Sequence, residues 1–125
     1  MATGSHDGTV RIWNTTSGHL EKLLEGHEER VNTVAFGHDH FLASGSDDKT
    51  VLIWSTVTGQ LVKRLRGHSE EVCAVAFNHG NLFVSGCYRG RVRLVRKYTW
   101  KLIEEFDKVI CFLGLWGFFL MEGRL

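Results

Sequence analysis

Ser44-Gly45-Ser46-Asp47-Asp48-Lys49-Thr50-Val51-Leu52-Ile53-Trp54 decides the reading of this chain, because much of it is written twice. Gly45-Ser46 stands 41 residues after Gly4-Ser5, and Ile53-Trp54 stands 41 residues after Ile12-Trp13. The same offset carries Gly26-His27 to Gly67-His68 and Val34-Ala35-Phe36 to Val75-Ala76-Phe77. Four independent pairs share one spacing with no gap. A period of about 40–45 residues with a Gly-His and a later aromatic is the pattern of a repeated four-stranded unit.

The second unit is complete and serves as the ruler. Val31–Phe36 is β-branched and aromatic and reads as a strand. Phe41–Gly45 is a second strand, Thr50–Trp54 a third and Gln60–Leu65 a fourth, half exposed because apolar and charged residues mix in it. The turn Ser46-Asp47-Asp48-Lys49 is built from side chains that hydrogen-bond their own backbone. The expected organisation is an incomplete unit over 1–25, a complete one over 26–66, a degenerate one over 67–107 and an apolar tail over 108–125. The first unit lacks its first strand. In the third, Arg89 takes the place of Asp48 and Val95 the place of Trp54. Within the tail, Leu113–Phe118 overlays Val31–Phe36 and reads as one further inner strand.

Composition narrows the function. A formal net charge of +1 implies no polyanion partner by charge alone. There is no proline, so the turns fall to Gly, Asn, Asp and Ser. Cys73, Cys87 and Cys111 have no C-x-x-C spacing and read as free thiols of a reducing compartment, with no metal site. The N-terminus carries no basic segment followed by an apolar one, so no secretory signal is expected. The apolar stretch from Val109 to Leu120 is too short to cross a bilayer of about 30 Å as a helix, and no membrane partner is expected.

These motifs resemble the WD-repeat β-propeller family. The resemblance rests on Gly26-His27, Gly67-His68, the run Ser44–Trp54 and the run Gly4-Ser5-His6-Asp7-Gly8-Thr9-Val10-Arg11-Ile12-Trp13, and it covers about residues 2–106. It implies an all-β fold, a partial β-propeller of four-stranded antiparallel blades. It implies a hydrogen-bonded tetrad of His27, Ser44, Asp48 and Trp54 in the second unit, with remnants at Thr3, Asp7 and Trp13 in the first and at His68 and Ser85 in the third. It also implies a partner-binding face at Arg30, Asn32 and Asp47 and at Glu71, Cys73 and Tyr88. About three blades do not close a ring, since the family's propellers usually have four to eight. The unclosed blade edges are therefore expected to self-associate.

The expected function is a non-catalytic scaffold for other proteins or peptides, in the cytoplasm or nucleus, with no cofactor. A narrower alternative is a substrate-recognition module of a ubiquitin ligase or other multiprotein complex. A third is a nucleic-acid-associated subunit using the basic cluster Arg89, Arg91, Arg93, Arg96 and Lys97, although nucleic acid is not the favoured partner. A Ser, a His and an Asp in one network also invite a hydrolytic reading. It is rejected, because the set recurs with the repeat as packing residues do, and neither a cleft nor an oxyanion hole is indicated. Asn14-Thr15-Thr16 fits a glycosylation acceptor, but the cysteines argue against that compartment.

Overall fold

The structure is a computed structural model and describes residues 1–37, 39–78, 81–88 and 91–106. Among these the chain is all-β, with eleven strands and no α-helix. β1 (Ala2–Gly4), β2 (Thr9–Trp13) and β3 (Leu20–Glu25) form the first sheet. β4 (Val31–Phe36), β5 (Phe41–Ser46), β6 (Val51–Ser55) and β7 (Leu61–Leu65) form the second. β8 (Val72–Phe77), β9 (Leu82–Cys87), β10 (Val92–Arg96) and β11 (Leu102–Phe106) form the third. Each sheet is an antiparallel meander in chain order. The reading of Leu113–Phe118 as an inner strand lies outside the described residues.

Local chemistry repeats along with the strands. In the turn from β5 to β6, Asp48 Oδ1 accepts the Thr50 N–H at 2.9 Å, and Ser46 Oγ accepts the Asp48 N–H at 3.1 Å. Lys49 completes that turn at φ 70°, where the first sheet uses Gly8 at φ 84°. Glycine adopts this left-handed conformation without the Cβ strain that Lys49 carries. The strand pairing shifts register at one repeat position in all three sheets, at Ile12/Trp13, Ile53/Trp54 and Leu94/Val95. Such a bulge raises the local twist and bends the outer strand.

The sheets stack in chain order, with β4 against both β1 and β8. Val10, Ile12 and Leu24 of the first sheet pack on Val31, Leu42, Leu52 and Trp54 of the second. Ala43, Val51 and Ile53 pack on Val72, Val75, Phe83 and Val95 of the third. The middle sheet is thus covered on both faces, and Val51–Trp54 is buried at every residue. In the first sheet β2 alternates instead, with Val10 and Ile12 buried and their neighbours partly exposed. Two glycines set the spacing between sheets. A Cβ on Gly4 would lie 2.5 Å from Val31 Cγ1, and one on Gly45 would lie 2.5 Å from Val72 Cγ1. Nothing larger than hydrogen fits there, so the valine that opens each inner strand rests on the preceding sheet's backbone.

Two expectations need correction. Cys73 is disulfide-bonded, while Cys87 is a buried thiol outside any disulfide, its pKa pushed up by burial. Sequence spacing carries no information on which cysteines approach in space. Lys97 is not part of an exposed basic face. It is 3 % exposed and its Nζ sits 2.9 Å from Asp39 Oδ2, on the neighbouring sheet.

Candidate functional site

In the second sheet the structure brings His27, Ser44, Asp48 and Trp54 into one chain of hydrogen bonds. Trp54 Nε1 donates to Ser44 Oγ at 2.9 Å. Ser44 Oγ lies 2.7 Å from His27 Nε2, and His27 Nδ1 lies 3.0 Å from Asp48 Oδ2. Burial lowers the His27 pKa, with Asp48 opposing it, so the ring is neutral. A carboxylate can only accept. Nδ1 therefore carries the proton toward Asp48, Nε2 accepts from Ser44, and Ser44 accepts from the indole. One direction of donation satisfies every member.

Asp48 holds more than its histidine. Burial pushes its pKa up, but bonds from Thr50, the Glu28 N–H and His27 outweigh that and leave it below the usual carboxylate range. Thr50 is a functional member that the sequence reading missed. Its Oγ1 donates to Asp48 Oδ1 at 2.5 Å and lies 3.4 Å from His27 Nδ1. The repeat contained the signal: Thr9, 41 residues earlier, bonds Asp7 in the same way through Oγ1 at 2.6 Å and its N–H at 3.0 Å.

The other two units keep parts of the chain. In the first, Trp13 Nε1 donates to Thr3 Oγ1 at 3.0 Å, but Asp7 is engaged by Thr9 and Arg11, and no histidine joins the halves. In the third, His68 Nε2 lies 2.7 Å from Ser85 Oγ. Among the described residues His68 Nδ1 is buried without a partner. Burial, then the charge of Arg93, lowers the His68 pKa to about 4.

Ser44, His27 and Asp48 have the distances of a hydrolytic triad but not its access. Ser44 is fully buried, and its Oγ already accepts the indole N–H. No substrate carbonyl can reach it.

The six residues expected at a partner face fall at one end of the second and third sheets. Asp47 N–H donates to the Arg30 carbonyl at 2.9 Å, and Tyr88 N–H donates to the Glu71 carbonyl at 3.0 Å, the same bond one repeat apart. Asn32 Nδ2 donates to Asp47 Oδ1 at 2.6 Å and to the Val72 carbonyl of the next sheet at 3.1 Å. Arg30 and Asn32 are exposed, Tyr88 is 58 % exposed, and Cys73 is partly buried in its disulfide. Among the described residues no cluster of His, Cys, Asp or Glu could hold a metal ion.

A family profile described as "WD domain, G-beta repeat" matches residues 1–14, 18–55 and 59–95, more than half of the chain. The chain is a WD-repeat protein. Its stacked antiparallel sheets are blades of that family's propeller, and WD-repeat proteins act in general as interaction scaffolds rather than enzymes. The solved structure of U3-55K superposes with a TM-score of 0.78 at 27% identity, over 85% of this chain and 33% of that one. The Lissencephaly-1 homolog of Caenorhabditis briggsae is 46% identical over 35 residues, 28% of this chain and 9% of that protein. The pre-mRNA-splicing factor PRP46 of Candida glabrata is 42% identical over 40 residues, 32% of this chain and 9% of that protein. The chain thus spans about a third of the solved WD-repeat structure, and each match covers under a tenth of the curated relative.

Proposed function

We propose that this chain is a non-catalytic scaffold that binds other proteins or peptides through the blade end carrying Arg30, Asn32, Asp47, Glu71 and Tyr88. The observation that carries this reading is the double bond set of Asn32. By holding both Asp47 and the Val72 carbonyl it fixes two blades side by side, so the two rows make one continuous surface. Tyr88 stands exposed on it, a residue type enriched among interface anchors. The tetrad His27, Ser44, Asp48 and Trp54 serves this surface from below, as the brace of the turn that presents Asp47. Residues 1–25, 26–66 and 67–107 are taken as the blade units.

The narrower reading, substrate recognition within a ubiquitin ligase or other multiprotein complex, rests on family analogy. Relatives named for pre-mRNA splicing and for lissencephaly are in keeping with a cytoplasmic or nuclear site of action. No described helix is long and apolar enough to cross a membrane. A nucleic-acid role is disfavoured, because Arg91 and Arg93 pair with Glu105 and Lys97 is buried against Asp39, which breaks the basic stripe.

The test is affinity purification of the full chain beside an Arg30→Ala/Tyr88→Ala variant, with Glu21→Ala, exposed on β3 of the first sheet, as a surface control. Proteins retained by the parent and the control but lost from the double variant support the reading. An unchanged set of proteins across all three removes this face from consideration.

A further inference from the structure

A cavity lies beside the third blade, and the repeat accounts for its position. Trp54 fills the gap between its own blade and the first. The third blade has Val95 at that position, and a cavity of about 220 Å³ remains between β7 and the strands β9, β10 and β11. Ligand pockets for drug-sized molecules run to about 300–1,000 Å³, so this one suits a single functional group on a short stem.

Its lining is rich in cations. Lys63 and Arg66 enter from the β7 side and Arg93 from β10, while Leu65, Trp100 and Leu102 supply apolar wall. Arg64 also borders the space, but its guanidinium turns to the other face, with Nη2 3.5 Å from the Gly26 carbonyl. One carboxylate is close by, Glu105, which accepts from Arg93 at 3.0 Å. Three cations, Lys63, Arg66 and Arg93, against one carboxylate leave a surplus that suits a dianion better than a single carboxylate. The cavity also touches two polar groups left incomplete by the repeat's decay. Ser85 Oγ has lost the indole donor that Ser44 keeps. His68 is 8 % exposed, and its buried Nδ1 has no partner among the described residues.

We propose that this cavity is an anion pocket that receives one phosphate monoester carried on a short apolar or aromatic stem. The guanidinium and ammonium groups take the phosphate oxygens, and Trp100, Leu65 and Leu102 take the stem. Planar guanidinium groups match phosphate geometry in pairs of parallel hydrogen bonds. The depressed basicity of His68 is consistent with this, since burial and the charge of Arg93 already keep the imidazole neutral. The pocket is separate from the Arg30–Tyr88 face, so its test can fail without touching that reading.

The probe is phenyl phosphate, titrated into the full chain by amide and side-chain NMR, with inorganic phosphate in parallel. Saturable shifts at Arg93, His68 and Trp100 are expected, with phenyl phosphate the tighter of the two. A Lys63→Gln/Arg66→Gln variant, altered only at exposed side chains, is expected to bind about tenfold more weakly or worse. A Lys22→Gln/Lys49→Gln variant removes the same charge elsewhere and is expected to bind as the parent does. Val95→Trp fills the cavity and is expected to abolish binding. A phosphotyrosine peptide, run in the same assay, tells a protein-borne phosphate from a free small molecule, and binding of either supports the pocket. Equal weakening by the two charge variants, retained binding in Val95→Trp, or no saturable binding of either probe overturns it.

Discussion

The guanidinium of Arg93 lies on Gly67 as the indole of Trp54 lies on Gly26. A Cβ on Gly67 would stand 2.6 Å from Arg93 Cζ, and a Cβ on Gly26 would stand 2.9 Å from Trp54 Cη2. The two glycines are one repeat apart, but Arg93 and Trp54 are not. Arg93 occupies the position of Leu52, and it reaches across the space that Val95 leaves. A long flexible side chain from the next alternate position has taken over the cover of the Gly-His turn, without supplying the indole's hydrogen bond.

That loss gives the third blade the weaker centre. Amide exchange is expected to be faster in residues 82–88 and 91–95 than in residues 41–54, because local opening follows local packing and hydrogen bonding. Slower exchange in the third blade would contradict the role given to the Trp54–Ser44–His27 chain.

Asp48→Ala removes the acceptor of His27, Thr50 and the Glu28 N–H together. Leaving buried donors unpaired costs on the order of 1–3 kcal/mol. Chemical denaturation should show a lower midpoint than the parent. Coincident curves would mean the tetrad contributes nothing to stability.

His68 makes stability depend on pH. Its pKa falls from an ordinary value near 6.5 to about 4 in the fold. Folding therefore favours the neutral ring, and its contribution is complete above pH 6.5 and lost as pH falls toward 4. The charged groups around it are Arg91, Arg93 and Glu105, with Lys63 and Arg66 across the cavity. A fall of that size corresponds to about 3 kcal/mol. His27 titrates in the same direction. Urea midpoints between pH 7 and pH 4 should fall less steeply in His68→Asn than in the parent, and identical slopes would remove His68 as a source.

Lys97 and Asp39 should behave asymmetrically. Asp39→Ala strands a buried ammonium group and also removes the acceptor of the Tyr98 hydroxyl, at a cost of about 1–3 kcal/mol given that Asp39 is partly exposed. Lys97→Met removes the charge with the need for its partner and should be close to neutral. Thermal melts of the two variants separate these outcomes, and equal destabilisation would show that packing, not charge, governs the site.

Gly45→Ala tests the spacing between blades. The new methyl would meet Val72 Cγ1 at 2.5 Å and Thr33 Cγ2 at 2.9 Å, so the second and third blades must part or the backbone must shift. Overpacking of this kind typically costs about 1–3 kcal/mol. A parental melting temperature would mean the interface is softer than this contact implies.

The repeat by itself determined the strand order and the turn chemistry, which follow from residues at fixed offsets along one chain, while the set of His27, Ser44, Asp48 and Trp54 was implied by the resemblance to the WD-repeat family. Thr50 was legible from the repeat, because Thr9 stands at the same position and bonds Asp7 as Thr50 bonds Asp48. The burial of Lys97 and the cover that Arg93 lends Gly67 were not legible, and neither was the cavity beside Val95 or the disulfide at Cys73. Each depends on which side chains from separate strands reach a shared space. Periodicity records what a residue does within its own blade. What fills the room between two blades is decided only when both are packed, because a lost indole is made good by whichever neighbour is long enough to reach it.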